Sequence, residues 1–126
     1  MTRRDVFEYA LLRVVPRVER GECFNAGVLV YCRAHSFVAA RTHLDEVKLR
    51  ALDPDADVVG VRAALRAVEG VCGGGGAGQA AGDDAGRRFR WLIAPRSTVV
   101  QPGAVHSGLT TDPAGEVERL FGLLVR

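Results

Sequence analysis

The sequence has no long apolar run and no strong charge bias. No stretch approaches the roughly 20 consecutive apolar residues that a membrane-spanning helix needs. The opening segment MTRRDVFEYALLRVV carries Asp5, Glu8 and Arg13 among its apolar residues and no small-residue cleavage site, so we expect no signal peptide. The net charge of +2 at pH 7 is below the bias that indicates nucleic-acid binding from composition. We therefore expect a cytoplasmic protein without membrane contact, and we do not expect nucleic acid as its partner.

Patterns for disulfides and metal sites are also missing. Cys23, Cys32 and Cys72 are an odd number of cysteines, and their spacings match neither a disulfide framework nor a zinc site. The three histidines are accompanied by no HExxH, CxxC or acidic cluster, so we expect no metal and no cofactor. We interpret the cysteines as free thiols. The alternative is a nucleophile at Cys23, whose pKa the nearby Arg20 would lower.

Length and composition predict one globular domain over residues 1–126. The chain has 48% hydrophobic and 25% charged residues, which are ordinary globular values, and its length suits a single core. The run GGGGAGQAAGDDAG at 73–86 has almost nothing to bury, so we expect a flexible loop there. A phosphate-binding loop is the alternative, but the run follows a helical pattern and lacks the G-K-[ST] sequel.

Three β-prone runs open the chain. Residues 6–15 are rich in Val, Leu, Phe and Tyr and end before Pro16, residues 26–32 form a near-continuous apolar run, and 36–42 follow after a short turn. Such runs separated by turns are typical of consecutive antiparallel strands. The sequence therefore predicts a three-stranded meander.

Helical patterns follow the strands. LDEVKLRAL from Leu44 predicts a short helix, and Asp57 can cap a longer one over 58–72. After the glycine-rich run, the spacing of apolar residues predicts one or two helical turns over 87–93, and 98–101 resembles a strand that stops before Pro102.

The end of the chain predicts an amphipathic C-terminal helix. In TTDPAGEVERLFGLLVR, Thr111 or Asp112 can cap and Pro113 suits the first helical turn, and apolar residues then recur at helical spacing. The fold class we expect is α+β, a mostly antiparallel sheet that starts with the meander and is packed with helices, the C-terminal one included.

The bend between the first two strands, RGECFNAG, has two interpretations. On the structural one, Gly21 sets the turn, Glu22 and Asn25 bond the loop, and Gly27 accommodates a bulge. On the functional one, Asn25 contacts a ligand that approaches Gly27 closely. The structural interpretation is favoured, and the sequence leaves the functional one open.

Three motifs occur in a fixed order: an LR-x-VP strand end, an RGE-x-x-N-x-G bend and a D-P-x-x-E-x-x-R-L-F terminal helix. The residues that carry them are Arg13, Val15, Pro16, Arg20, Gly21, Glu22, Asn25, Gly27, Asp112, Pro113, Glu116, Arg119, Leu120 and Phe121. As a set they resemble the bacterial family catalogued as domain of unknown function 3037, and APRSTVVQPGAVHSG resembles its actinobacterial branch. The family has no known activity. Its genes often neighbour one for a HipA-like kinase, so the resemblance implies an accessory protein.

Three hypotheses about function remain open. The first is an interaction module that partners the HipA-like kinase. The second is a small enzyme or binder of a phosphate- or carboxylate-bearing ligand, in which arginines bind the anion and Glu22 or His106 transfers a proton. Its candidate residues are Arg13, Arg20, Glu22, Asn25, Arg96 and His106. The third is weak nucleic-acid binding through RRFRW at 87–91, against which stands a helix with Phe89 in the core.

Overall fold

The computed structural model describes residues 3–73, 85–96 and 98–126. The strands are β1 (Asp5–Val14), β2 (Phe24–Cys32), β3 (Phe37–Thr42), β4 (Val100–Pro102) and β5 (His106–Thr110). The helices are α1 (Glu46–Leu52), α2 (Val58–Cys72), α3 (Ala85–Leu92) and α4 (Pro113–Leu124). None of the helices in these ranges is long and apolar enough to cross a membrane.

One antiparallel sheet organises the protein, with the long strand β1 at its centre. β1 pairs with β2 along one side, and β2 pairs in turn with β3. Along its other side β1 pairs with β4 near Val14 and with β5 near Asp5. The predicted meander and the α+β class are therefore confirmed.

Helices cover both faces of the sheet. On one face, α4 packs its apolar side against β1 and β2, with Phe121 and Val30 in the buried cluster. On the other face, α1 and α2 cover Val14 and Ala26, and α3 covers Leu29 through the fully buried Phe89. The alternation of side chains along each strand produces two cores, one for each face.

A β-bulge interrupts the pairing of β1 with β2. Leu12 lies opposite Gly27 and Arg13 lies opposite Asn25, so Ala26 is the extra residue in β2. A Cβ atom at Gly27 would lie 3.0 Å from the carbonyl oxygen of Arg41 in β3. Gly27 therefore allows the neighbouring strand to approach closely at the bulge.

The structure differs from the sequence prediction at three places. β5 was not predicted, because its sequence HSGLT lacks β-branched alternation, and it forms at the sheet edge where Gly108 makes room for the ring of Phe7. β4 includes Pro102, which stands at the end of the strand. α3 begins at the buried Ala85, so this helix includes the last two residues of the glycine-rich run, for which a loop at about 73–86 is predicted. Residues 74–84 of that loop lie outside the described ranges.

Candidate functional site

The tip of the β1–β2 bend holds one ion pair. A short 3-10 turn over Val18–Arg20 ends at Gly21, whose φ of 71° suits glycine. The turn brings Nε of Arg20 to 2.7 Å from Oε1 of Glu22. The hydrogen bond to Arg20 lowers the pKa of the exposed Glu22 carboxyl, and the same contact raises the pKa of Arg20. Both side chains are thus engaged with each other.

Asn25 binds a helix end instead of the bend. Its Nδ2 donates a 3.0 Å hydrogen bond to the carbonyl oxygen of Leu124, in the last turn of α4. Arg13 is its cross-strand neighbour and therefore lies on the same face of the sheet. The guanidinium of Arg13 packs beside Gly103 and makes no hydrogen bond or ion pair with any part of the chain that the structure describes.

Arg96 and His106 lie away from the bend. Arg96 donates to the carbonyl oxygens of Trp91 at 2.7 Å and Ala94 at 3.2 Å, and its guanidinium lies 5.2 Å from the centre of the Trp91 ring. His106 is exposed on β5, where its ring lies 5.3 Å from that of Tyr9. The structure therefore groups Arg13 with Asn25 and Arg20 with Glu22, and it places Arg96 on the opposite face of the sheet.

A larger feature lies on that opposite face. A cavity of about 660 Å³ opens between α2, the end of α3, the α1–α2 connection and β4. Buried Leu49, Val61, Leu92 and Val100 contribute apolar walls. Trp91 stands at its edge with 52% of its surface exposed. We call this cavity and its edge the Trp91 groove; its further lining residues are Pro16, Asp53, Asp55, Ala56, Asp57, Gly60, Ala64, Ala67, Val68, Val71, Arg96, Thr98 and Val99.

The local sequence explains why Trp91 is exposed. In α3, Phe89 and Leu92 point into the core. Trp91, which stands between them in the sequence, lies on the opposite side of the helix. The two hydrogen bonds from Arg96 hold the chain after the helix beneath the indole. Stacking of the guanidinium on the ring fixes the indole further.

The connection between α1 and α2 makes one end of the groove acidic. Asp53 accepts a hydrogen bond from the backbone of Asp55 and lies 3.7 Å from the guanidinium of Arg17. Asp57 caps α2 by accepting from the backbone of Gly60 at 2.9 Å. The exposed Asp55 carboxylate makes no contact of this kind within residues 3–73, 85–96 and 98–126. The lining of the groove therefore includes three aspartates and one arginine: Asp53 is paired with Arg17, and Arg96 is bonded to backbone carbonyls.

Sequence reasoning missed this groove. Its walls come largely from alanine and valine side chains that form no motif, and its lining residues extend along the chain from Pro16, after β1, to Val100 in β4. Two signals were present: a tryptophan beside arginines on the polar side of a short helix, and the run DPDAD with three acidic residues in five. For RRFRW the sequence sets a helix with Phe89 in the core against a nucleic-acid motif, and the structure has a helix in which Phe89 is buried.

The three cysteines differ in their burial. All three are free, Cys23 is exposed, and Cys32 and Cys72 are buried. Burial raises the pKa of the Cys72 thiol to about 12, although Arg88 nearby acts in the other direction. Within the described residues, no three His, Cys, Asp or Glu side chains are grouped so that they can hold a metal ion.

Comparison with known proteins identifies a family without an assigned activity. No curated protein and no solved structure matches the chain. A family model described as protein of unknown function (DUF3037) matches residues 9–125, a range that includes the bend, the Trp91 groove and all of α4. The chain therefore belongs to the DUF3037 family.

Proposed function

We propose that the protein is an interaction module whose Trp91 groove binds a segment of a partner protein. The observation that carries this proposal is the half-exposed Trp91 beside an apolar cavity of about 660 Å³. A volume of this size accommodates a few side chains of a ligand.

The role of Trp91 as the anchor of the groove agrees with the large contribution of tryptophan to binding energy at protein interfaces. It is among the residues most enriched at the energetic centres of protein interfaces, since it buries a large rigid surface at small entropic cost. Here the indole is already held by Arg96 on one side. A partner side chain that covers its free side removes apolar surface from water without ordering a mobile side chain.

Helix α2 lines one side of the groove with small side chains. Gly60, Ala64 and Ala67 line the groove along one side of this helix, and Ala64 and Ala67 are exposed. Small side chains leave room for a partner backbone to approach the helix. The wall thus suits an extended or helical segment that lies along α2.

Charge defines the chemistry of the occupant. Asp53, Asp55 and Asp57 line one end of the groove, and Arg96 directs its donors to backbone oxygens. An anionic occupant would meet these carboxylates, and Arg96 already uses Nε and Nη2 in hydrogen bonds to the backbone. The groove therefore suits an apolar segment that carries a lysine or arginine at the aspartate end.

The partner we propose is a HipA-like kinase, since genes of this family often neighbour one that encodes such a kinase. The other candidate function, anion binding by the bend residues, has less support from the geometry. Arg20 and Glu22 bind each other, and Asn25 binds α4. Arg13 is the member of that set whose guanidinium makes no hydrogen bond or ion pair with the described residues.

The experiment compares binding of the purified HipA-like kinase from the same genome to the wild-type protein and to two groove variants. Trp91→Ala removes the anchor, and Ala64→Phe fills the groove while it leaves Trp91 and Arg96 in place. Leu123→Ala is the matched control, because Leu123 is also an exposed apolar residue but lies on α4.

We expect both groove variants to weaken binding by about tenfold or more and the control to bind as wild type. Equal binding by all four folded proteins would overturn the groove assignment. Absence of kinase binding by the wild-type protein would overturn the choice of partner.

A further inference from the structure

A second surface, away from the Trp91 groove, carries a concentration of arginines. It lies where the start of β1 meets the turn between β2 and β3, a 3-10 turn over Arg33–His35. Two shallow cavities of about 490 and 400 Å³ adjoin there and share Val6 and Arg33. Their charged lining residues are Arg3, Arg4, Asp5, Glu8, Arg33 and Arg90.

The two carboxylates of this surface are already occupied. Oδ1 of Asp5 lies 3.1 Å from Nε of Arg3, and Oδ2 of the same residue lies 3.1 Å from Nε2 of His35. The carboxylate of Glu8 lies 3.0 Å from Arg90. Both acidic side chains are therefore neutralised locally, and neither faces Arg33 or Arg4 in an ion pair.

The remaining two arginines of this surface are Arg4 and Arg33. Both are exposed, and neither makes a hydrogen bond, ion pair or ring contact with the described residues. The contact of Asp5 with His35 holds the start of β1 against the turn that carries Arg33. Two unpaired guanidinium groups therefore line one shallow cavity whose other side chains, apart from the Arg3–Asp5 pair, are Val6 and Ala34.

We propose that Arg4 and Arg33 form a binding site for a phosphate group. Guanidinium groups bind phosphate oxygens through pairs of charge-assisted hydrogen bonds, and two of them match the charge of a dianionic phosphate. Tyr31 beside the site is covered by Phe89 on one side, at 5.1 Å between ring centres, and Arg90 lies 5.8 Å from its centre. Because Phe89 and Arg90 already lie against the ring of Tyr31, stacking of a nucleic-acid base on this ring is not favoured. The ligand is therefore the phosphate group itself.

Titration with inorganic pyrophosphate, followed by calorimetry and by the backbone amide signals of residues 33–35, tests the site. Arg33→Ala removes the arginine that both cavities share, and Arg33→Lys keeps the charge but loses the two-pronged donor. Arg66→Ala is the matched control, because Arg66 is also exposed and makes no ion pair within the described part of the chain, but lies on α2. Vesicles of phosphatidylglycerol, compared with phosphatidylcholine, distinguish a lipid headgroup from a free phosphate compound.

We expect saturable binding that Arg33→Ala weakens by about tenfold or more and that Arg66→Ala leaves unchanged, with Arg33→Lys intermediate. The same pattern on phosphatidylglycerol vesicles alone assigns the phosphate to a lipid. No saturable binding of either probe overturns the proposal. Equal losses in the Arg33 and Arg66 variants overturn it as well, because they show diffuse electrostatic attraction and not a site. None of these outcomes depends on the Trp91 groove.

Discussion

The side-chain amide of Asn25 donates a hydrogen bond to the carbonyl oxygen of Leu124, across 99 positions of the chain. The bond joins the start of β2 to the last turn of α4. Carbonyl groups in the last turn of a helix lack partners within the helix, so Asn25 satisfies one of them. This contact gives the asparagine of the RGE-x-x-N-x-G bend a structural role that the spacing of residues in sequence does not reveal.

Replacement of Asn25 with alanine is expected to lower the free energy of unfolding by about 0.5–1.5 kcal/mol, because one hydrogen bond is lost. Urea denaturation monitored by circular dichroism measures the change. Partner binding by the folded variant should equal that of wild type. Undiminished stability combined with lost binding would instead make Asn25 a recognition residue.

Replacement of Gly27 with alanine is expected to destabilise the fold by about 1–3 kcal/mol, because the added methyl group overpacks the bulge. It would lie 3.0 Å from the backbone oxygen of Arg41 and 3.1 Å from Cδ1 of Leu12. Gly122→Ala is the control: nothing lies within 4 Å of its added Cβ, and alanine favours the helix by up to about 1 kcal/mol. Thermal unfolding of the two variants should shift in opposite directions. A Gly27→Ala protein as stable as wild type would contradict the assigned close approach.

The pKa of Glu22 should lie below that of an ordinary glutamate, because Arg20 donates to its charged form. A carboxyl with a lowered pKa in the folded state contributes stability above its ordinary pKa, and that contribution is lost as the pH falls through the lowered value. Both groups are exposed, so salt should reduce the effect. NMR titration of the Glu22 carboxyl measures the shift, and Arg20→Ala should return it to the ordinary value. An unchanged titration in that variant would exclude the ion pair in solution.

The three thiols should differ in reactivity. At neutral pH, iodoacetamide is expected to alkylate the exposed Cys23 first, and the folded protein should protect the buried Cys32 and Cys72. The pKa of about 12 keeps Cys72 protonated. Mass spectrometry after timed labelling resolves the order in which the three thiols react, with Cys23→Ser as the control. Rapid modification of Cys72 in folded protein would contradict its burial.

The raised pKa of Cys72 in the folded state also makes the stability of the protein depend on pH. The free energy of unfolding should fall as the pH rises from the ordinary thiol value of 9.0 towards 12.

The sequence predicts the elements whose own residues determine them. The apolar run before Cys32, the capping Asp57 and Pro113 at the start of α4 are local signals, and each corresponds to an element in the structure. β5 depends on the ring of Phe7 and on pairing with a strand about a hundred residues earlier, which no local pattern contains. The Trp91 groove is a space between elements, so its position follows from packing and not from a motif.

For the candidate residues of the bend, the sequence predicts their position but not their bonding partners. Their spacing correctly placed Arg13, Arg20, Glu22 and Asn25 at one end of the hairpin. It did not indicate that Arg20 and Glu22 bind each other or that Asn25 reaches α4, because these partners are chosen by the tertiary fold.

Trp91 is the single tryptophan of the chain, so a label on it reports the groove directly. The decisive measurement is the ¹⁹F NMR spectrum of protein labelled with 5-fluorotryptophan, recorded with and without unlabelled HipA-like kinase. We expect the Trp91 resonance to shift when the kinase binds the wild-type protein, and we expect Ala64→Phe to abolish this kinase-induced shift. Binding of the kinase, established separately by calorimetry, with an unmoved Trp91 resonance would contradict the assignment of the groove as the interaction surface.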